Sequence, residues 1–145
     1  MSSLLTFFNS FKQKIADGTI DLDSHSFKLM LTTSSYVPSA ASHAVKADIT
    51  NELAAANGYS AGGVALTSVV YTQTNGTAKF DADDVTWTAS GGSLIARYAV
   101  LYDDTATNKD LICYILLDTT PADVTITTGN KLTAEWDVLG IFTLA

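Results

Sequence analysis

The longest alternating stretch of the chain is GGSLIARYAVLYDD, residues 91 to 104, which opens on a glycine pair and closes on two aspartates. Its period is two, the signature of a β-strand. Leu94, Ala96, Tyr98, Val100 and Tyr102 fall on one side, and Ile95, Arg97, Ala99 and Leu101 on the other. Both faces are apolar apart from Arg97, so the stretch predicts one long central strand. The same period recurs upstream at 26 to 33, and again in short runs at 64 to 74, 77 to 81, 85 to 89, 111 to 118, 123 to 127, 131 to 137 and 141 to 144. Asn75-Gly76, Gly91-Gly92, Asp103-Asp104, Pro121, Gly129-Asn130 and Gly140 punctuate these runs as turns. About eight or nine short strands with almost no helix after residue 56 predict a mainly β domain spanning 1 to 145, an antiparallel β-sandwich of jelly-roll type.

The first 18 residues carry a different period. Leu4, Phe8, Phe11 and Ile15 share one helical face with Phe7 beside them, while Asn9, Lys12, Gln13 and Lys14 face away. Ser2 or Ser3 is the expected cap and Asp17-Gly18 the expected end of an N-terminal helix about 20 Å long. A long irregular segment, 34 to 63, holds Pro38, an Asn57-Gly58 turn and a predicted short helix over 48 to 55.

Composition narrows the function classes. At 145 residues with 47% hydrophobic content, the chain can bury a core without disulfides, and its single cysteine, Cys113, sits in an apolar run as a core residue. Fifteen acidic residues stand against eight basic ones, of which Arg97 is the only arginine. That balance disfavours a nucleic-acid partner, which needs clustered Lys and Arg. The charged fraction of 16% is low, as suits a surface packed against neighbours. No apolar run is long enough for a membrane helix and no secretory leader is evident, so synthesis and retention in a cytoplasm are expected.

Candidate chemistry is thin. Gly58-Tyr59-Ser60-Ala61-Gly62 fits the G-x-S-x-G pattern, but it lacks the preceding strand and following helix that a nucleophile elbow requires, so it reads as a turn. His25 and His43 lie eighteen residues apart with no zinc-like spacing. Asp81, Asp83 and Asp84, like Asp103 and Asp104, form acidic turns without the glycine and distal glutamate of a calcium loop. Trp87 and Trp136 read as core anchors, with a sugar-stacking platform as the minor alternative. Asn75-Gly76-Thr77 has the form of a glycosylation sequon but reads as a hairpin turn. Arg97 is expected in an ion pair with Glu135 or Asp137, or else at a contact between subunits. No enzyme, cofactor or metal is expected.

Several motifs together resemble a group of small virion proteins of tailed bacteriophages. They are Leu31-Thr32-Thr33-Ser34, Asp48-Ile49 with Asn57-Gly58-Tyr59, Trp87-Thr88-Ala89-Ser90-Gly91-Gly92, and Ala96-Arg97-Tyr98-Ala99-Val100-Leu101-Tyr102, within a similarity running from about Phe27 to Leu144. The resemblance implies a structural role: a capsid decoration or cement protein, made in the bacterial cytoplasm and bound to the head exterior. Its implied partners are the major capsid protein and further copies of itself, as a dimer or trimer. A tail or fibre component, including a receptor-binding adhesin, is the alternative. The N-terminal helix and the 34 to 63 loop are then the expected arms, with Leu4, Phe7, Phe8, Phe11, Tyr36, Tyr59 and Arg97 as candidate interface residues.

Overall fold

A computed structural model of the chain describes residues 4–120 and 122–145. Among the described residues the fold is mainly β, with antiparallel sheets and one α-helix. The strands are β1 (Leu5–Phe7), β2 (Phe27–Thr32), β3 (Val64–Ala65), β4 (Val70–Thr74), β5 (Thr77–Asp81), β6 (Val85–Thr88), β7 (Leu94–Ala96), β8 (Tyr98–Asp103), β9 (Leu111–Leu116), β10 (Val124–Ile126), β11 (Lys131–Ala134) and β12 (Phe142–Leu144), with α1 at Asn9–Ala16. A five-stranded sheet runs β1-β9-β8-β2-β3; β12-β5-β4 form a three-stranded sheet, and β10-β7 and β11-β6 are two-stranded.

The five-stranded sheet is apolar on both faces, as the 91 to 104 pattern predicts for a central strand. Phe27, Leu29 and Leu31 of β2, Ala99 and Leu101 of β8, and Cys113 and Ile115 of β9 enter the main core with Phe80, Trp87 and Phe142 from the smaller sheets. The Phe27 and Phe80 rings meet edge to face at 5.2 Å. On the opposite face Met30, Val100, Tyr102 and Leu111 pack with Phe8 and Tyr36 in a second cluster, with Ile49 against it. Strands buried on both sides read as continuous apolar runs, which is why β8 and β9 show so little polar alternation.

Four local predictions are corrected, the first being the 64 to 74 run, which is two strands, β3 in the five-stranded sheet and β4 in the three-stranded one. The 91 to 104 stretch is two strands, β7 and β8, that belong to different sheets and part at Arg97. There the Arg97 N–H donates to the Thr32 carbonyl at 2.9 Å, while its carbonyl accepts from Leu117 N at 3.1 Å. The N-terminal helix is shorter than predicted, because residues 5 to 7 pair with β9 in the register Leu5↔Ile115 to Phe7↔Cys113. Phe8 is the N-cap, extended and without a side-chain cap, and Asp17-Gly18 ends the helix as expected. The expected Ser2 or Ser3 cap and the Pro121 turn lie outside the described residues. The helix predicted over 48 to 55 is instead a single 3-10 turn at Lys46–Asp48. Asn51 then adopts φ 59, outside the helical region, and the following residues zip onto β2: Thr33 N donates to Asn51 O and Leu53 N to Leu31 O.

Candidate interaction surfaces

Two surface features stand out once the core is accounted for, and each follows from local sequence. The first is the turn Asp137-Val138-Leu139-Gly140. The Asp137 carboxylate accepts from Leu139 N at 2.9 Å, and the Asp137 carbonyl accepts from Gly140 N at 2.8 Å. Gly140 has φ +89, and a Cβ on it would stand 2.6 Å from the Phe80 carbonyl oxygen, so only glycine closes the turn this tightly. Ile141 N binds that same carbonyl and Ile141 is buried. The turn is thereby clamped to β5 while its two apolar side chains project, Val138 at 88% exposure and Leu139 at 65%. Beside it lies a trough of about 280 Å³ lined by Thr72, Thr74, Thr77, Lys79 and Thr143.

The second is a shallow groove of about 500 Å³ against the five-stranded sheet, lined by Leu4, Thr6, Val37, Pro38, Tyr98, Tyr114 and Leu116. Tyr98 and Tyr114 meet edge to face at 6.2 Å and form its floor. Val37 stands at its rim, 76% exposed. The loop from 33 covers the neighbouring part of the sheet through Tyr36, whose hydroxyl lies 2.9 Å from His43 Nδ1.

The seven residues expected at an interface are placed as follows. Phe8, Phe11, Tyr36 and Tyr59 are buried within the chain's own core. Phe7 is half-buried and stacks on Phe11 with ring centroids 5.2 Å apart. Leu4 lines the second groove. Arg97 Nε donates to Asp123 Oδ1 at 2.9 Å, which corrects the expected pairing with Glu135 or Asp137. The β7–β10 register explains it, since Val124↔Ala96 puts Asp123 directly across from Arg97. The 34 to 63 loop is likewise packed down rather than free. The Tyr59 hydroxyl donates to Glu52 Oε1 at 2.8 Å and accepts from Leu31 N at 3.1 Å, and burial pushes its pKa well up.

Several of the remaining candidates have structural partners. Ser60 is exposed on a turn with no strand before it and no helix after it. His25 Nδ1 lies 2.6 Å from the fully buried Asp103 carboxylate, which also accepts from Thr105 N and Ala106 N. Lys14 from α1 pairs with buried Asp110. Asp83 accepts from the Thr67 and Ser68 hydroxyls and Asp84 from Trp136 N, so these acidic side chains tie loops together. Among the described residues no group of three or more His, Cys, Asp or Glu stands where it could share a metal ion, and no helix is long and apolar enough to cross a membrane. Trp87 is buried, whereas Trp136 is half-buried at the rim with its indole N–H on Asp83 O at 3.1 Å. Burial alone raises the Cys113 thiol pKa.

Sequence reasoning missed Val138 and Leu139 because it assigned 131 to 137 and 141 to 144 to strands and left the intervening residues as linkage. The signal was present as two aliphatic residues between a turn-forming aspartate and a glycine. No family model matches the chain, and no curated protein and no solved structure matches it.

Proposed function

We propose that this chain is a structural protein of a tailed-bacteriophage virion, a decoration or cement protein that binds the head exterior and holds capsomers together. The motif resemblance supplies the virion context. The observation that carries the choice of role is the character of the exposed apolar surface. Among the described residues its large members are Val37, Val70, Ile95, Val138 and Leu139, all aliphatic, while every Phe, Tyr and Trp is buried or half-buried. Aliphatic projections fit pockets on another protein, whereas glycan binding by a fibre adhesin calls for exposed aromatic faces. The Val138-Leu139 turn is the principal contact with the major capsid protein in this reading, and the Leu4 and Tyr114 groove is the second.

In this proposal the domain is a jelly-roll-like β-sandwich acting as a dimer or trimer on the shell. The packing of the five-stranded sheet onto the smaller sheets through Phe27, Phe80 and Phe142 supports the two-layer arrangement. Each copy contributes modest binding energy, because contacts repeated across a symmetric lattice add up. Electron microscopy of purified particles labelled with an antibody to this chain tests the proposal. Label over the head surface is the expected result, and label confined to the tail contradicts it.

A further inference from the structure

The chain contains two Asn-Gly dipeptides, Asn57-Gly58 and Asn75-Gly76, and both have positive φ at both residues, the geometry of a type I′ turn. The Asn57 turn is closed by Tyr59 N on Ala56 O at 3.0 Å, and the Asn75 turn joins β4 to β5 across Thr74↔Thr77. Their surroundings differ sharply. Asn57 Nδ2 donates to Ser93 O at 3.1 Å, and Asn57 O accepts from Ser90 N at 3.0 Å. A Cβ on Gly58 would stand 2.1 Å from Thr88 O, and one on Gly92 would stand 2.6 Å from Asn57 Oδ1, so this turn is pressed into the end of β6 from both sides. Asn75 and Gly76 are both exposed. Nothing lies within 4 Å of a Cβ built on Gly76, and neither the Asn75 side chain nor the Gly76 N–H has a hydrogen-bond partner among the described residues.

From this contrast we infer that Asn75 is a site of spontaneous covalent modification by deamidation, and that the fold protects Asn57 from the same reaction. The Gly76 amide nitrogen gives its proton to solvent base and attacks the Asn75 side-chain carbonyl carbon. The side-chain amide leaves as ammonia and a five-membered succinimide forms. Water then opens the ring at either carbonyl, leaving aspartate or isoaspartate, with no oxidant or cofactor required. A following glycine favours the step because it offers no side chain to obstruct the attack.

The step requires the turn to open so that nitrogen meets carbon. At Asn75 this means fraying the tip of an exposed hairpin, which lies at the low end of local opening energies. At Asn57 it means breaking the Ser90 and Ser93 hydrogen bonds and lifting Gly58 off the Thr88 carbonyl. Conversion places a new negative charge at the hairpin tip beside Thr74 and Thr77, which line the trough next to Val138 and Leu139. The inference rests on these two turns and not on the proposed virion role.

The test is peptide mapping by mass spectrometry of the purified full chain, incubated folded in mildly alkaline buffer, with isoaspartate detected by enzymatic methyl transfer. Conversion at Asn75 is expected to be at least about tenfold faster than at Asn57, equivalent to about 1.4 kcal/mol of extra barrier at Asn57. In strong denaturant the two sites are expected to convert at similar rates. Retention of the amide at Asn75 in the folded chain overturns the inference, as does equal conversion at Asn57. So does a site preference that persists unchanged in denaturant, since the sequence and not the fold would then set it.

Discussion

Gly63 lies so close to Leu29 that a methyl group on its α-carbon would stand 2.0 Å from the Leu29 carbonyl oxygen, and its φ is +85. This contact seats the end of the 34 to 63 loop on β2 just where β3 begins pairing, with Leu29↔Val64 as the next step in register. Gly63→Ala is therefore expected to cost at least about 3 kcal/mol, through a backbone clash added to left-handed strain. Gly76→Ala meets only the strain, because its surroundings are open, and should cost about 1 kcal/mol. Denaturant unfolding of the two variants beside the parent checks the difference.

Thr32 is fully buried in β2, and its hydroxyl has no hydrogen-bond partner among the described residues. Thr32→Val removes an unsatisfied polar atom at nearly constant shape. Stability is expected to rise by about 1 kcal/mol, read as an increase in unfolding midpoint at unchanged slope.

Acid should weaken the fold through specific carboxylates. Asp48 accepts from the N–H groups of Ala44 at 2.8 Å and Val45 at 3.0 Å, and these bonds hold its pKa below the ordinary carboxylate value against a smaller opposing effect of burial. Asp104 is lowered in the same direction, chiefly by its bond from Lys109. A carboxylate whose folded pKa is depressed binds its proton less readily than in the unfolded chain. Its contribution is fully present above the unfolded value, near pH 4, and is lost as pH falls through the lower folded value. Unfolding midpoints should drop between about pH 5 and pH 3, and Asp48→Asn should be less stable at neutral pH with a shallower acid dependence.

The exposed turn separates binding from folding. Val138→Asp with Leu139→Asp changes side chains that touch solvent, so unfolding stability should stay within about 0.5 kcal/mol of the parent. Binding of the purified protein to heads stripped of it should fall at least about tenfold, as expected when charge enters an apolar contact. Unchanged binding would move the contact away from this turn.

The sequence made the strand periods legible because they are set by nearest neighbours, and the Asn75-Gly76 hairpin because its turn chemistry is local. What it concealed depends on distant partners. The switch of sheets at Arg97 leaves no mark on the sequence alternation, although Ala96 enters the main core and Tyr98 packs against the second cluster on the opposite face. Leu4 with Phe7 and Phe8 satisfies helical spacing while Leu5 with Phe7 satisfies strand spacing, and only pairing with β9 decides between them. Asn51 breaks the predicted second helix through a backbone angle that the composition of 48 to 55 does not announce. Tyr36 and Tyr59 were expected to meet a partner because they sit in a long loop. Instead each is buried, one against each face of the central sheet. Val138 and Leu139 went unread because a short aliphatic pair between strands carries no period.

The most direct measurement separates heads from tails of purified particles and quantifies this chain in each fraction against the major capsid protein. A decoration role predicts recovery with the heads, in a fixed ratio to the major capsid protein and at many copies per particle. Recovery with the tails, or absence from both fractions, contradicts it.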